Sequence, residues 1–489
     1  MIYLYTDEDK EQIGYILEKV EGLSDACNVQ SLAAINDANN HVILESGLIR
    51  TPLPWASTQA PIIAPELRYE SDDLLAVMLC KLGYDQQALQ YATSSQCQEF
   101  IKATLDLGNH TSTRTISTKN YFELHNEALI AHYTGNEDGQ NVPELFENAI
   151  QGAPSPEHAG FTAKHYAVFL LDYGSFEKAE ELLRKHIQTV LSDKGRRYLE
   201  FELINVLMSR QLSSIDKHDF AELKELVWNS IKHFENTSEN WAVASLYTTA
   251  SEITNIERRY SESLGYISKA ISIYENEQLP EFLATAYFRK GTLLYTWAQD
   301  SNPQFYQSAI DTYNESLKTF TRDDFPRVYA DIHHNLAVIY AEMPADEKKK
   351  TMWSAFSATS FKESLEFYKK ESYPYEYAMV ANNYANALLK YPPAKIGDNA
   401  DKAIYYYLEA LDVRDGVRFP MERAHTILNY LEACWLVSNI NKTMERARYN
   451  DMLQKIKEMK SLTTDSELLE QANAHHEQLQ TLGLSIVIN

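Results

Sequence analysis

Two sets of side chains in this 489-residue chain could do chemistry, the paired histidines and the cysteines. His125 and His132 lie seven apart with Glu127 nearby, so on a helix they share one face, where imidazoles could hold a metal. Their spacing is not that of a metalloprotease helix, and a structural or solvent-facing role is expected. His333-His334, read as the start of a repeat helix, and His475-His476, near the end of the chain, are adjacent pairs. Adjacent helical residues point about 100° apart and do not readily share a metal. Cys27, Cys80, Cys97 and Cys434 form no Cys-x-x-Cys pair, zinc spacing or disulfide framework. Cys80 and Cys434 fall on apolar helix faces, where a free thiol is ordinarily buried, and none of the four has the local signature of a caspase-like nucleophile. There is no Gly-x-Ser-x-Gly elbow, phosphate loop or dinucleotide fingerprint. The expectation is therefore no catalytic residue, no metal and no cofactor. An active site of unrecognised type would have to lie in residues 1–70, the segment with no structural assignment of its own.

The elements that must position any site come from an internal repeat. Pro280, Pro326, Pro374 and Pro420 are spaced by 46, 48 and 46 residues, and alanine follows each by four (Ala284, Ala330, Ala378, Ala424). Seventeen residues before each proline stand the small residues Ser263, Ala309, Ser357 and Ala403. Four further on come Ile267, Tyr313, Phe361 and Tyr407. Three more bring Ala270, Ser316, Ser364 and Ala410, followed by Ile271, Leu317, Leu365 and Leu411. Small, large, small at offsets 0, +4 and +7 is a helical stripe. Small residues let a neighbouring helix approach, and the large one fills the gap. Proline opens the next helix, as in Tyr377–Lys390, because it fits a first turn but not a helix interior. Each unit is a helix pair, and pairs stack.

Asn382–Leu388 (NNYANAL) and His334–Tyr340 (HNLAVIY) resemble the first helix of a tetratricopeptide repeat, and Ala403–Leu411 (AIYYYLEAL) resembles its second. Gly174–Ala179 (GSFEKA) and Gly83–Ala88 (GYDQQA) resemble the turn between them. The resemblance covers Trp241–Leu436 well and Asp72–Leu191 loosely. That family's period is 34 residues, so each unit here carries about 12–14 extra, expected as exposed loops at Glu342–Met352 and Tyr391–Ala400. The run Lys348-Lys349-Lys350 falls in the first of these and reads as solvated. The long-linker form is similar to repeats found beside caspase-like CHAT proteases in bacteria.

The resemblance implies an all-α, right-handed superhelix of helix pairs that binds a protein or peptide on its first-helix face. The inward positions it implies are Phe288, Thr292 and Tyr295, then His334 and Val338, then Asn382 and Asn386, then Leu428, Glu432 and Trp435. An asparagine there can clamp a peptide backbone, having both a donor and an acceptor. The lysines and arginines that grip a terminal carboxylate in resembling repeats are missing from these positions, so a mixed apolar and polar segment is expected instead.

Around the repeat, residues 1–70 read as a small mixed α/β cap, with strands at Ile2–Tyr5 and His41–Leu44, a helix at Glu11–Val20 and a proline-rich extended connector at Thr51–Pro65. Residues 71–240 read as irregular helical repeats, 241–440 as regular ones, and 441–489 as capping helices. The tail Leu484–Ile488 would pack under that cap or pair with an N-terminal strand. Gly108–Ser117 reads as a polar loop. Composition agrees with a helical solenoid. Gly (16) and Pro (15) are scarce, while Tyr reaches 32, read mainly as packing between helices. With 45 Lys+Arg against 69 Asp+Glu, the net charge of −24 disfavours nucleic acid and anionic membranes. No signal peptide or membrane span is expected from the sequence, and four cysteines suit a reducing cytoplasm. The reading is a cytoplasmic, non-catalytic scaffold acting in a hetero-complex. The alternatives are a peptide-sensing regulator and an enzyme with its site in residues 1–70.

Overall fold

The computed structural model describes residues 1–35, 41–56, 61–111, 120–135, 141–213, 220–237, 239–344, 346–393, 398–437 and 442–488. They form two compact units, Met1–Glu239 and Asn240–Asn489. The class is all-α helical repeat with one small mixed sheet. Among the described residues, no helix is long and apolar enough to cross a membrane.

The first unit opens with β1 (Ile2–Thr6), α1 (Lys10–Leu17), α2 (Leu23–Ala26), β2 (Cys27–Ser31), β3 (His41–Glu45), β4 (Leu48–Arg50) and β5 (Leu67–Arg68). The sheet order is β2-β1-β3-β4-β5, with β1 parallel to both neighbours and β3-β4-β5 antiparallel. The sheet resumes at β5 after the proline-rich stretch, which is therefore not a simple linker from cap to repeats, and the side chains of Pro54, Trp55, Ala56, Ile62 and Ile63 are buried. Helices follow as α3 (Ser71–Lys81), α4 (Asp85–Tyr91), α5 (Ser95–Gly108), α6 (Tyr121–Thr134), α7 (Val142–Gln151), α8 (Pro156–Asp172), α9 (Phe176–Thr189), α10 (Asp193–Ser213) and α11 (Ala221–Phe234). The turns α3–α4 and α8–α9 pass through Gly83 and Gly174 at φ +82° and +69°, a left-handed conformation that glycine adopts without strain.

The second unit contains α12 (Asn240–Ile256), α13 (Tyr260–Asn276), α14 (Pro280–Asp300), α15 (Phe305–Ser316), α16 (Pro326–Glu342), α17 (Glu347–Phe367), α18 (Pro374–Lys390), α19 (Asn399–Val413), α20 (Pro420–Leu436), α21 (Lys442–Leu462) and α22 (Ser466–Ile488). Each repeat proline occupies the first turn of a helix, where no backbone N–H is missed. The repeat columns are the core. Ile267, Tyr313, Phe361 and Tyr407 are fully buried, and the small residues on either side of them are too. Ser316 Oγ donates to Ala284 O (2.8 Å) and Ser357 Oγ to Ala337 O (2.6 Å), so these buried hydroxyls also tie the helices of a pair together. First helices touch in succession, α12 on α14, α14 on α16, α16 on α18 and α18 on α20.

Two expectations are corrected. Glu342–Met352 is mostly helix rather than loop, because the Asp346 side chain caps the N–H of Lys349 and α17 starts at Glu347. The three lysines are therefore exposed residues of a first turn and its neighbour. The apolar tail through Ile488 continues α22, so it is helix rather than strand. Part of Tyr391–Ala400 and most of the expected Gly108–Ser117 loop lie outside the described residues.

Phe361 is fully buried and stacks on Tyr384 with ring centroids 4.8 Å apart. Replacing it, Phe361→Ala, lowers the unfolding free energy by about 3–5 kcal/mol. The exposed Tyr405→Ala, from the same protein, changes it by about 0.5 kcal/mol or less. Urea unfolding of both variants checks this, and comparable losses would show that the repeat column is not the core.

Candidate functional site

In the first unit the first-helix face already holds two stretches of the chain's own backbone, residues 53–56 and 61–65. Trp55 packs edge-on against Phe161 of α8 (5.2 Å) and stacks near Tyr198 of α10 (6.4 Å). A buried extended backbone cannot satisfy its own polar groups, so helix side chains must do so. Lys164 Nζ donates to Trp55 O (3.2 Å). His125 Nε2 meets Pro61 O (3.2 Å), while its Nδ1 meets Thr162 Oγ1 (2.9 Å). Asn126 makes both bonds of a strand-like pair, Oδ1 accepting from Ile63 N (3.0 Å) and Nδ2 donating to Ile63 O (2.9 Å). Asn126 thus clamps a backbone in the first unit in the way expected of Asn382 and Asn386 in the second.

The equivalent positions can be matched by pattern. Ala163-Lys164-His165-Tyr166-Ala167 of α8 aligns with Ala381-Asn382-Asn383-Tyr384-Ala385 of α18. The expected residues in the second unit are mostly drawn into contacts between helices. Phe288 packs edge-on against Tyr313 (5.7 Å), and Thr292 Oγ1 lies 2.9 Å from the Tyr313 hydroxyl. Tyr295 donates to Glu342 Oε2 (2.8 Å), which links α14 to α16, and Lys390 of α18 reaches the other oxygen (3.2 Å). His334 is buried and takes a hydrogen bond from Asn383 Nδ2 (2.9 Å). Asn382 is buried as well, with Oδ1 unpartnered among the described residues. Asn386 Oδ1 accepts from the Tyr407 hydroxyl (2.6 Å), and the residue is half-buried. Val338 is half-buried against the α16–α18 core, Leu428 is buried and Glu432 is exposed. Trp435 Nε1 donates to His475 Nδ1 (2.9 Å), joining α20 to α22.

The other candidates for chemistry have separate partners. His132 Nε2 pairs with Asp172 (2.8 Å), apart from His125, and among the described residues no cluster of three His, Cys, Asp or Glu is placed to hold a metal. His333 and His334 stand within α16, not at its start. Burial pushes the Cys27 and Cys434 thiols up to about 11 and the Cys80 thiol to about 12, and it raises Cys97 as well. Their reactive thiolate forms are therefore disfavoured.

Burial lowers His125 from its ordinary 6.5 to about 4 and outweighs the bond to Pro61 O, which favours the proton. The unfolded chain thus binds a proton between those values that the folded chain refuses. Stability is full above pH 6.5 and falls as pH drops toward 4, by roughly 3 kcal/mol at most from this residue. Urea titrations of the parent chain and of His125→Asn at pH 7.5 and 4.5, near-neutral and acidic extremes of that window, should show the larger acid loss in the parent. Equal losses would refute a neutral, buried His125.

No protein-family model matches this chain, and no curated protein does. Among solved structures it is similar to yeast Tom70, at 12% identity over 84% of this chain and 82% of that one, with a TM-score of 0.40. It is also similar to human IFIT1, solved as a dimer with m7Gppp-AAAA, at 13% identity over 85% and 91%, with a TM-score of 0.49. The P58(IPK) TPR domain is similar at 15% identity over 84% and 98%, with a TM-score of 0.23. Likeness at this level carries no functional argument, and the repeat architecture rests on the chain's own columns and helix pairs.

Proposed function

We propose that this chain is a non-catalytic interaction scaffold whose second unit holds an extended segment of a partner protein on its first-helix face. The observation that supports this is the first unit's grip on Trp55, Pro61 and Ile63, where first-helix side chains take three backbone carbonyls and one N–H of the chain's own non-helical backbone. Backbone recognition of that kind asks little of the partner's sequence, while apolar pockets between helices select alternate side chains. On α16, α18 and α20 the half-buried Val338, Asn386 and Trp435 and the exposed Glu432 offer an apolar, amide and acidic surface. Asn386 uses its oxygen on Tyr407, leaving its amide N–H groups for a partner carbonyl. The long-linker resemblance makes a bacterial CHAT-type protease or defence effector the first partner class to test, in a cytoplasmic hetero-complex.

The test is co-expression of the full chain with a bacterial CHAT-type protease, read by size exclusion with mass measurement, and panning of a displayed peptide library on the same chain. The expected result is a stoichiometric complex or an enriched extended peptide, weakened at least tenfold by Asn386→Ala combined with Glu432→Lys. The double variant should keep a cooperative thermal transition. Failure of both the complex and the library would sink the reading.

A further inference from the structure

We infer that the N-terminal extension of α17 is a second docking surface, which takes an acidic amphipathic helix of another protein across Met352, Trp353 and Phe356, with Lys348 and Lys349 beside them. Comparison among the repeats isolates it. α13, α15 and α19 begin three or four residues before their small column residues Ser263, Ala309 and Ala403, whereas α17 begins ten before Ser357. The extra residues make nearly two turns of helix and carry Lys348, Lys349, Lys350 and Met352. The column of Phe356 holds Glu262, Ser308 and Lys402 in the sister repeats, and that of Met352 holds Arg258, Gln304 and Asp398. Both columns are polar everywhere else, so the fold does not ask for apolar side chains there. Yet Met352 and Phe356 are apolar and 43% and 46% exposed.

Residues 349, 352, 353 and 356 follow the helical spacing 0, +3, +4 and +7, so they share one face. Trp353 stacks on Tyr340 of α16 (5.6 Å, 12° between planes), and Phe356 leans on both Tyr340 (5.6 Å) and Trp353 (5.7 Å). The inner side of this group is anchored, because Tyr340 packs on the α14–α16 core. Asp311 of α15, which takes a bond from Gln307 (2.9 Å), bounds the group beside Tyr340. Lys348, Lys349 and Lys350 are exposed and form no ion pair among the described residues. Asp346 spends an oxygen on Lys349 N (2.9 Å), and Glu347 falls by its spacing with Thr351 and Ser354 on the neighbouring face. Unpaired cations beside exposed rings select carboxylates flanking large apolar side chains. About one turn separates Met352 from Phe356, which matches apolar residues three or four apart on a partner helix. An anionic membrane fits less well, because it repels a chain of net charge −24 as a whole, and two copies at −24 repel each other. The surface lies on a second helix, whereas the partner-binding reading concerns first helices, so neither depends on the other.

The test is fluorescence anisotropy of the full chain with a labelled helical peptide of about twenty residues, carrying leucine and tryptophan at i, i+4 and i+7 and glutamates along their flanks. One twin peptide has lysine for glutamate, and another has serine for the apolar residues. The acidic apolar peptide should bind with a Kd of about 100 μM or tighter at low salt, and each twin at least tenfold more weakly. Met352→Gln with Phe356→Ser, the residues of a sister repeat, should weaken binding at least tenfold, and so should Lys348→Glu with Lys349→Glu. Both pairs should keep the parent's thermal transition, since the first follows a sister repeat and the second suits a helix start. Asn386→Ala with Glu432→Lys should bind the peptide as the parent does, which separates this surface from the first-helix face. No saturation up to about 1 mM overturns the site. Equal binding of the lysine twin overturns the charge recognition, and equal binding of the serine twin overturns the apolar anchor. Binding to phosphatidylserine vesicles without the peptide, or a concentration-dependent dimer abolished by Phe356→Ser, would assign the face to another occupant and overturn the inference.

Discussion

Everything in the second unit depends on how closely two helices of a pair can approach. Ser, Ala or Gly backbones meet at the small columns, and one large side chain per repeat fills the remaining space. Gly291 shows how tight this is, since a Cβ added there would lie 3.0 Å from the Tyr313 ring. The helices are therefore spaced by the steric outline of a few residues rather than by a continuous apolar stripe. Buried serines fit this scheme because their hydroxyls reach carbonyls on the paired helix, as Ser316 and Ser357 do. The tyrosine surplus follows as well. Tyr313 and Tyr407 are flat, large and able to end in a hydrogen bond, to Thr292 and Asn386 respectively.

The first unit meets a different constraint, the burial of an extended backbone against helices. A strand inside a sheet finds partners in its neighbours, but an extended segment on a helical face must borrow them from side chains. His125, Asn126 and Lys164 supply these from consecutive first helices. The proposed partner binding rests on the same property of first-helix faces, the delivery of polar side chains to an otherwise apolar surface.

Most of the repeat was legible in the sequence because its restraints are local and periodic. Proline in a first turn, alanine four residues on and the small-large-small stripe each act within one helix or one pair. The mixed N-terminal segment was legible too, from Ile2–Tyr5 and His41–Leu44. What escaped depends on distant pairing. Nothing near Thr51–Pro65 reveals that Pro61 and Ile63 bond helix side chains more than sixty residues later. A signal did exist. The Ala-Lys-His-Tyr-Ala stretch of α8 matches Ala-Asn-Asn-Tyr-Ala of α18, and extending the inward positions through it would have reached Lys164 and His165. The helical start of α17 was missed because Lys348–Lys350 was read as a solvated loop, whereas the Asp346 cap makes the same residues a helix beginning.

The reach of Lys164 to Trp55 spans 109 positions. During synthesis, the connector leaves the ribosome well before α8 exists to receive it. Ile63 can meet Asn126 once α6 is made, but Trp55 waits uncovered until α8 and α10 follow. The order of translation makes this stretch the point where the nascent protein most needs shielding, and a chaperone or fast helix formation would serve it there more than anywhere in the later repeats.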